Sequence, residues 1–168
     1  MTLLIAAKLV KFDVVGPPVG KERAVVTLSK RGASAHTPKR TVLYESKVAW
    51  AATEAFRKPA FAGRHGVPFD VPVGVMIHIK KLIPKSWSKK RKAEALELGW
   101  ASSYPDIDNV IKSILDAMNG IAYLDDKQVV QVFAQRTYSE HREFVEVVVY
   151  DMEFVGALPS FLGIETNA

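Results

Sequence analysis

Cysteine is absent from the 168 residues, which removes disulfides, thiolate metal sites and cysteine nucleophiles together. Any metal must then be held by oxygen or imidazole, and carboxylates become the leading ligands. Long apolar runs are missing too. Leu3 to Ala7 is followed at once by Lys8 and Lys11, too short a stretch for a signal h-region or a membrane span. No membrane association is expected, and a cytoplasmic protein is the default. The sequence also lacks internal repeats and low-complexity tracts. Positive charge is what it has in excess. A formal net charge of +5 leaves cations able to displace counterions from a polyanion, so nucleic acid is a natural partner. Length and apolar content suit one domain, residues 1–168, around one core. The packed part is expected over about 4–151, with a looser tail over 152–168.

Leu4 to Val15 is β-rich and stops at Gly16-Pro17-Pro18, which predicts a first strand and a turn. Ala24 to Leu28 predicts a second. Thr37-Pro38 resembles an N-cap and N1 proline ahead of Tyr44, Val48, Ala51, Ala52 and Ala55, giving a helix over Pro38 to Phe56. Val73, Val75, Ile77 and Ile79 alternate as a half-buried strand, ending in Lys80 and Lys81. Ser86 is the expected cap of a second helix that ends at Leu98-Gly99. Its opening turns carry Lys89, Lys90, Arg91 and Lys92, cations where the macrodipole disfavours them. Such a run is either a solvated face or an anion contact, and the nearby Lys80, Lys81, Lys85 and Trp87 favour the second.

Between Pro105 and Gly120, Ile107, Val110, Ile111, Ile114, Leu115 and Met118 recur at intervals of three and four, an amphipathic helix. Asp106 is its expected cap, and Asp108, Lys112 and Asp116 form a polar stripe. A turn follows at Asp125-Asp126-Lys127. Gln128 to Thr137 and Glu143 to Asp151 alternate on either side of a polar link, which predicts a closing hairpin. The expected architecture is α/β (α+β), about three helices packed against one small mixed sheet.

Asp106 and Asp108 stand two apart where loop becomes helix, and Asp125 and Asp126 begin the next element. An antiparallel return would bring the second pair beside the first. Grouped carboxylates repel unless protons or a divalent ion offset them, and all-oxygen ligation favours Mg²⁺ or Mn²⁺ over zinc. Such an ion can bridge a phosphodiester oxygen and a water. Each residue taken alone also has a structural role: an Asp at a helix start caps it, Asp-Asp-Lys makes a turn, and Lys112 pairs with its i, i+4 neighbours.

The run Pro105-Asp106-Ile107-Asp108-Asn109-Val110-Ile111-Lys112, then Leu115-Asp116-Ala117-Met118-Asn119-Gly120, then Asp125-Asp126-Lys127-Gln128-Val129 resembles the signature of the RusA family of Holliday junction resolvases. Gly16-Pro17 with Lys21 and Arg23, Thr37-Pro38-Lys39-Arg40-Thr41 with Tyr44-Glu45, and Pro84 to Lys90 resemble its phage and prophage members, so the likeness spans about Phe12 to Tyr150. The resemblance implies a homodimer that resolves branched DNA with Mg²⁺ or Mn²⁺, in recombination and repair. By motif position it implies Asp106, Asp108 and Asp126 as metal ligands, Lys112 steadying the scissile phosphate, and Asp125 as a neighbour. It further implies DNA contacts at Lys21, Arg23, Lys39, Arg40, Lys85, Lys89, Lys90, Arg91 and Arg136. Two positions depart from the pattern. Lys21-Glu22-Arg23-Ala24-Val25 replaces a Lys-x-Arg-Pro-Arg run, and Arg136 stands where some members carry Lys.

Three rival readings remain, of which a purely structural or interaction role gives no reason for the combined motif. A non-catalytic DNA-binding module explains the basic segment but not three acidic blocks beside a Lys. A phosphohydrolase of the haloacid dehalogenase type expects its D-x-D directly after a strand, whereas here the motif opens a helix and no Gly-rich loop precedes it.

Overall fold

A computed structural model of the chain describes residues 9–29, 32–57 and 68–152. In chain order its elements are β1 (Leu9–Val15), β2 (Val25–Ser29), β3 (Gly32–His36), α1 (Lys39–Arg57), β4 (Val73–Leu82), α2 (Lys89–Leu98), α3 (Ile107–Met118), a 3₁₀ turn (Asp126–Gln128), β5 (Val129–Ser139) and β6 (Phe144–Asp151). The architecture is mixed α+β, with three helices and a four-stranded sheet of order β1-β6-β4-β5, plus a separate two-stranded sheet, β2-β3. Residues 4–8 of the expected first strand, and the tail beyond Met152, lie outside the described residues.

The alternating strands present one apolar face in register. Val10, Val149 and Val75 form one row across β1, β6 and β4; Phe12, Val147 and Ile77 form the next; Val14, Val145 and Ile79 form the third. Every one of these side chains is buried. Against this face α1 lays Tyr44, Val48, Ala52, Ala55 and Phe56, and α3 lays Val110, Ile114 and Met118. Spacings of three and four give each helix a continuous apolar stripe, and together they close one core.

The expected hairpin does not form, because β4 lies between the two strands, parallel to β5 and antiparallel to β6. The reason is visible in β6, where Val147, Val148 and Val149 are buried on both faces. A strand covered on both sides belongs in the middle of a sheet. β5 is left at the edge with Val130, Val132 and Phe133 exposed. The link over residues 140–143 only has to step across one strand, two spacings or about 10 Å.

Other differences are local. Ser88, not Ser86, caps α2: its Oγ accepts from the Arg91 amide at 3.3 Å, so the helix starts two residues later than expected. Gly99, with φ of 75°, ends it as expected. β3, Gly-Ala-Ser-Ala-His, carries no β-branched residue and was not signalled by the sequence.

Gly74 in β4 sits under the Tyr150 ring, whose hydroxyl donates to Gln131 Oε1 at 2.8 Å, and a Cβ here would overlap that ring. Gly74→Ala should therefore cost roughly 1–3 kcal/mol through overpacking, read as a lower urea midpoint with an unchanged slope.

Candidate active site and nucleic-acid interface

The third row of the core face ends, at the sheet edge, in a charge. Ile79 of β4 is in register with Arg136 of β5, so the guanidinium emerges on the helix side of the sheet. There it donates to the carbonyls of Ser103 and Pro105. The Ala101 amide donates back to the Arg136 carbonyl at 3.1 Å. Residues 101–105, the approach to α3, are thus lashed to β5. Burial pulls the Arg136 pKa down and the nearby Asp106 charge pushes it up, with burial ahead; a guanidinium stays charged regardless. Its Nε and the Ser103 hydroxyl are buried without a hydrogen-bond partner.

Asp106 occupies the N-cap position of α3 but makes no side-chain cap hydrogen bond. Its carboxylate is left exposed, as is that of Asp108 in the first turn. Both line an open hollow of about 600 Å³ together with Ser103, Tyr104 and Arg136. The positive end of the helix dipole and the Arg136 cation offset the repulsion between the two acids. Both acids supply acceptor oxygens only.

Asp126 lies elsewhere. It opens the 3₁₀ turn just ahead of β5, whereas Arg136 lies seven residues past Val129, roughly 23 Å away at the rise of a strand. Its neighbourhood is the far half of α3. Tyr123, whose hydroxyl donates to the Leu115 carbonyl at 2.8 Å, has its pKa raised by burial first and then by Asp126 and Asp116. Among the described residues no three of His, Asp or Glu gather closely enough to hold a metal ion. The chain brings Asp106 and Asp108 together and leaves Asp126 apart. Asp125 caps the 3₁₀ turn, accepting from the Lys127 amide at 3.0 Å, which is the main reason its carboxyl titrates below its ordinary value.

Lys112 is exposed one turn beyond Asp108. Asp116 does not pair with it; Asp116 accepts Lys21 Nζ at 2.9 Å, and Lys21 also binds Glu45 of α1. Burial works against the Lys21 charge, but the two carboxylates outweigh it and hold the pKa above the ordinary lysine value. Lys21, expected at the DNA, is therefore already neutralised, joining α1 to α3. The chain can pass here because Gly20 has no side chain: a Cβ would lie 2.9 Å from that of Asn109. Arg136 is likewise committed to two carbonyls of its own chain.

The remaining expected cations are exposed, in two sets. Arg23 precedes β2, and Lys39 and Arg40 open α1. Lys85, Lys89, Lys90 and Arg91 stand at the start of α2. That start is fixed near the hollow: Arg91 lies 4.0 Å over the Trp87 ring, and Trp87 meets Tyr138 edge-on at 5.4 Å, two residues along β5 from Arg136. Sequence reasoning missed Ser103 and Tyr104 at the hollow. Their only signal was position, directly before the acidic pair.

Removing the guanidinium leaves two carbonyls without a donor. Arg136→Ala should cost roughly 2–4 kcal/mol, seen in thermal melts, and Arg136→Lys should recover only part because an ammonium cannot reproduce the planar fork.

No helix among the described residues is long and apolar enough to cross a membrane. A profile of the family described as Endodeoxyribonuclease RusA matches residues 15–150. An uncharacterized protein of Bacillus subtilis (strain 168), YqaN, is 30% identical over 146 residues, covering 85% of this chain and 96% of that protein. With the acidic pair opening α3 and the family profile running from the end of β1 nearly to the end of β6, the chain belongs to the RusA family of endodeoxyribonucleases.

Proposed function

We propose that this chain resolves Holliday junctions and related branched DNA by Mg²⁺-dependent phosphodiester hydrolysis, Mn²⁺ substituting, in recombination and repair. The observation that carries the reading is the hollow, in which two uncapped carboxylates at a helix start lie beside cationic surface. Two carboxylates with a substrate phosphate and waters are an ordinary Mg²⁺ environment, so the donor set fits the ion. The chemistry such an ion supplies is neutralisation of charge building on the phosphate and activation of water. Asp106 and Asp108 hold it, Arg136 keeps their loop in place, and Lys112 steadies the scissile phosphate. Arg23, Lys39, Arg40, Lys85, Lys89, Lys90 and Arg91 hold the DNA backbone.

Asp126 enters as third ligand from a second copy of the chain. The open edge of β5 exposes Val130, Val132 and Phe133, the apolar surface a homodimer needs. Antiparallel pairing of two β5 edges about those residues sets the start of one strand against the end of the other. Asp126 of the partner subunit then faces the stretch around Arg136, and twofold symmetry yields two sites for two strands.

The separation of Asp126 from Asp106 and Asp108 also favours a second reading, a non-catalytic DNA-binding protein of the same fold. Nicking of a synthetic four-way junction decides between them. Asp108→Asn should keep junction binding and lose nicking; full activity in this variant would end the proposal. Mixing inactive Asp108→Asn with inactive Asp126→Asn should restore single nicks, since a mixed dimer rebuilds one intact site. No recovery would place Asp126 in its own chain's site or outside catalysis.

Replacing Lys89, Lys90 and Arg91 together by Ala should weaken binding and flatten its salt dependence by about one unit of slope per lost phosphate contact. An unchanged slope would mean a merely solvated face.

A further inference from the structure

The hollow has an aromatic rim that neither the fold nor the proposed chemistry uses. Tyr104 lines it, 72% exposed, and Trp100 stands one residue before its first lining residue, Ala101, 70% exposed. Large aromatic rings are the side chains folding most readily buries, and these two contribute nothing to the core. Their backbone is firmly held: α2 ends in a left-handed Gly99, the Ala101 amide bonds the Arg136 carbonyl, and the Arg136 guanidinium holds the carbonyls on either side of Tyr104. Such a segment carries two exposed rings on an anchored backbone, Tyr104 at the hollow it shares with the two carboxylates and Trp100 next to that hollow in the chain, downstream of the cations that open α2.

Cationic surface interleaved with exposed aromatics is how proteins hold unpaired nucleotides: charge follows the backbone, and each ring offers a face to a base. A continuous duplex keeps its bases stacked inside and has nothing to offer such rings. A branch point does, because base stacking is interrupted where strands exchange. We infer that Trp100 and Tyr104 are a stacking platform for bases unstacked at the branch point, positioning the adjacent phosphodiester over Asp106 and Asp108. The inference rests on the proposed function and deepens it, giving the basis on which branched DNA is preferred to duplex.

The test uses a four-way junction with 2-aminopurine at the branch point, a single-stranded oligonucleotide carrying the same base, and a linear duplex, all without divalent metal. The wild-type chain should quench the probe in the first two. Trp100→Ala and Tyr104→Ala should lose the quenching and, on the order of tenfold, the affinity for both. Duplex affinity should not change, and Trp100→Phe should retain much of the effect. Both side chains are exposed, so thermal midpoints should match the wild type. Quenching and junction affinity unchanged in both Ala variants would overturn the inference. So would a shift of Trp100→Ala from dimer to monomer in sedimentation, which would make the ring a subunit contact. Wild-type quenching on single strands without any junction nicking in Mg²⁺ would support the platform while removing the proposed function. Nicking with no quenching would do the reverse.

Discussion

The fork made by the Arg136 guanidinium to the carbonyls of Ser103 and Pro105 is the constraint on which the acidic site depends. The core face of the sheet is apolar in every row until it reaches β5, where the register places this cation opposite buried Ile79. An edge strand is where a sheet tolerates a charge, since one side of it is open. From there the side chain spans the gap to the segment before α3 and does work that strand pairing cannot. Without it the approach to α3 would have only the single Ala101 amide bond to β5. The helix would keep its buried stripe of Val110, Ile114 and Met118 and the Lys21 amide bond to the Asn109 carbonyl, but residues 102–104, which line the hollow, would lose their tie to the sheet.

Because that approach is held by backbone carbonyls, α3 does not need Asp106 as a cap. Asn, Asp, Ser and Thr are favoured at N-caps because a side-chain oxygen satisfies an orphan amide. Here the Asp106 oxygen makes no such bond, and the helix forgoes roughly 1 kcal/mol of local stability to leave the carboxylate outward. Helix dipole and guanidinium together make two adjacent acids tolerable. The second polar junction works the opposite way. Lys21, Glu45 and Asp116 bring three half-buried charges together further along α3, and their mutual neutralisation ties the turn after β1 to both core helices.

The elements were legible in the sequence where one periodicity ran uninterrupted. The 3.6-residue stripe of α3, the alternation in β4 and the Gly99 stop of α2 are local facts, and local physics states them. Partners were not legible. Alternation says that residues 129–139 and 144–151 are strands but not what lies between them, and only the double-sided burial of Val147, Val148 and Val149 decides that β6 is central. The same limit governs the site. Asp106 and Asp108 are two residues apart and share a hollow, whereas the twelve residues of α3 carry the chain to the far end of the helix before Asp126 is reached. Lys21 and Arg136 look like any other cations in sequence, and their employment within the fold depends on groups tens of residues away.

Charge placement along the three helices separates what folding requires from what a polyanion requires. A helix start favours acids, yet α1 opens on Lys39 and Arg40 and α2 on Lys89, Lys90 and Arg91, with no acid in either first turn. Each such cation costs a few tenths of a kcal/mol against the macrodipole. α2 has little core contact to offset this, since Ala95 is its one buried residue; its start is held chiefly by the Ser88 cap and by Trp87 wedged between Arg91 and Tyr138. Only α3, whose first turn carries Asp108, follows the electrostatic preference. Positive charge is therefore concentrated where the isolated protein is least helped by it, and negative charge where the helix helps to hold it. Phosphates along a DNA strand laid there would reverse that balance at α1 and α2, while at α3 the same phosphates would be repelled by the acids unless a divalent cation lay between them.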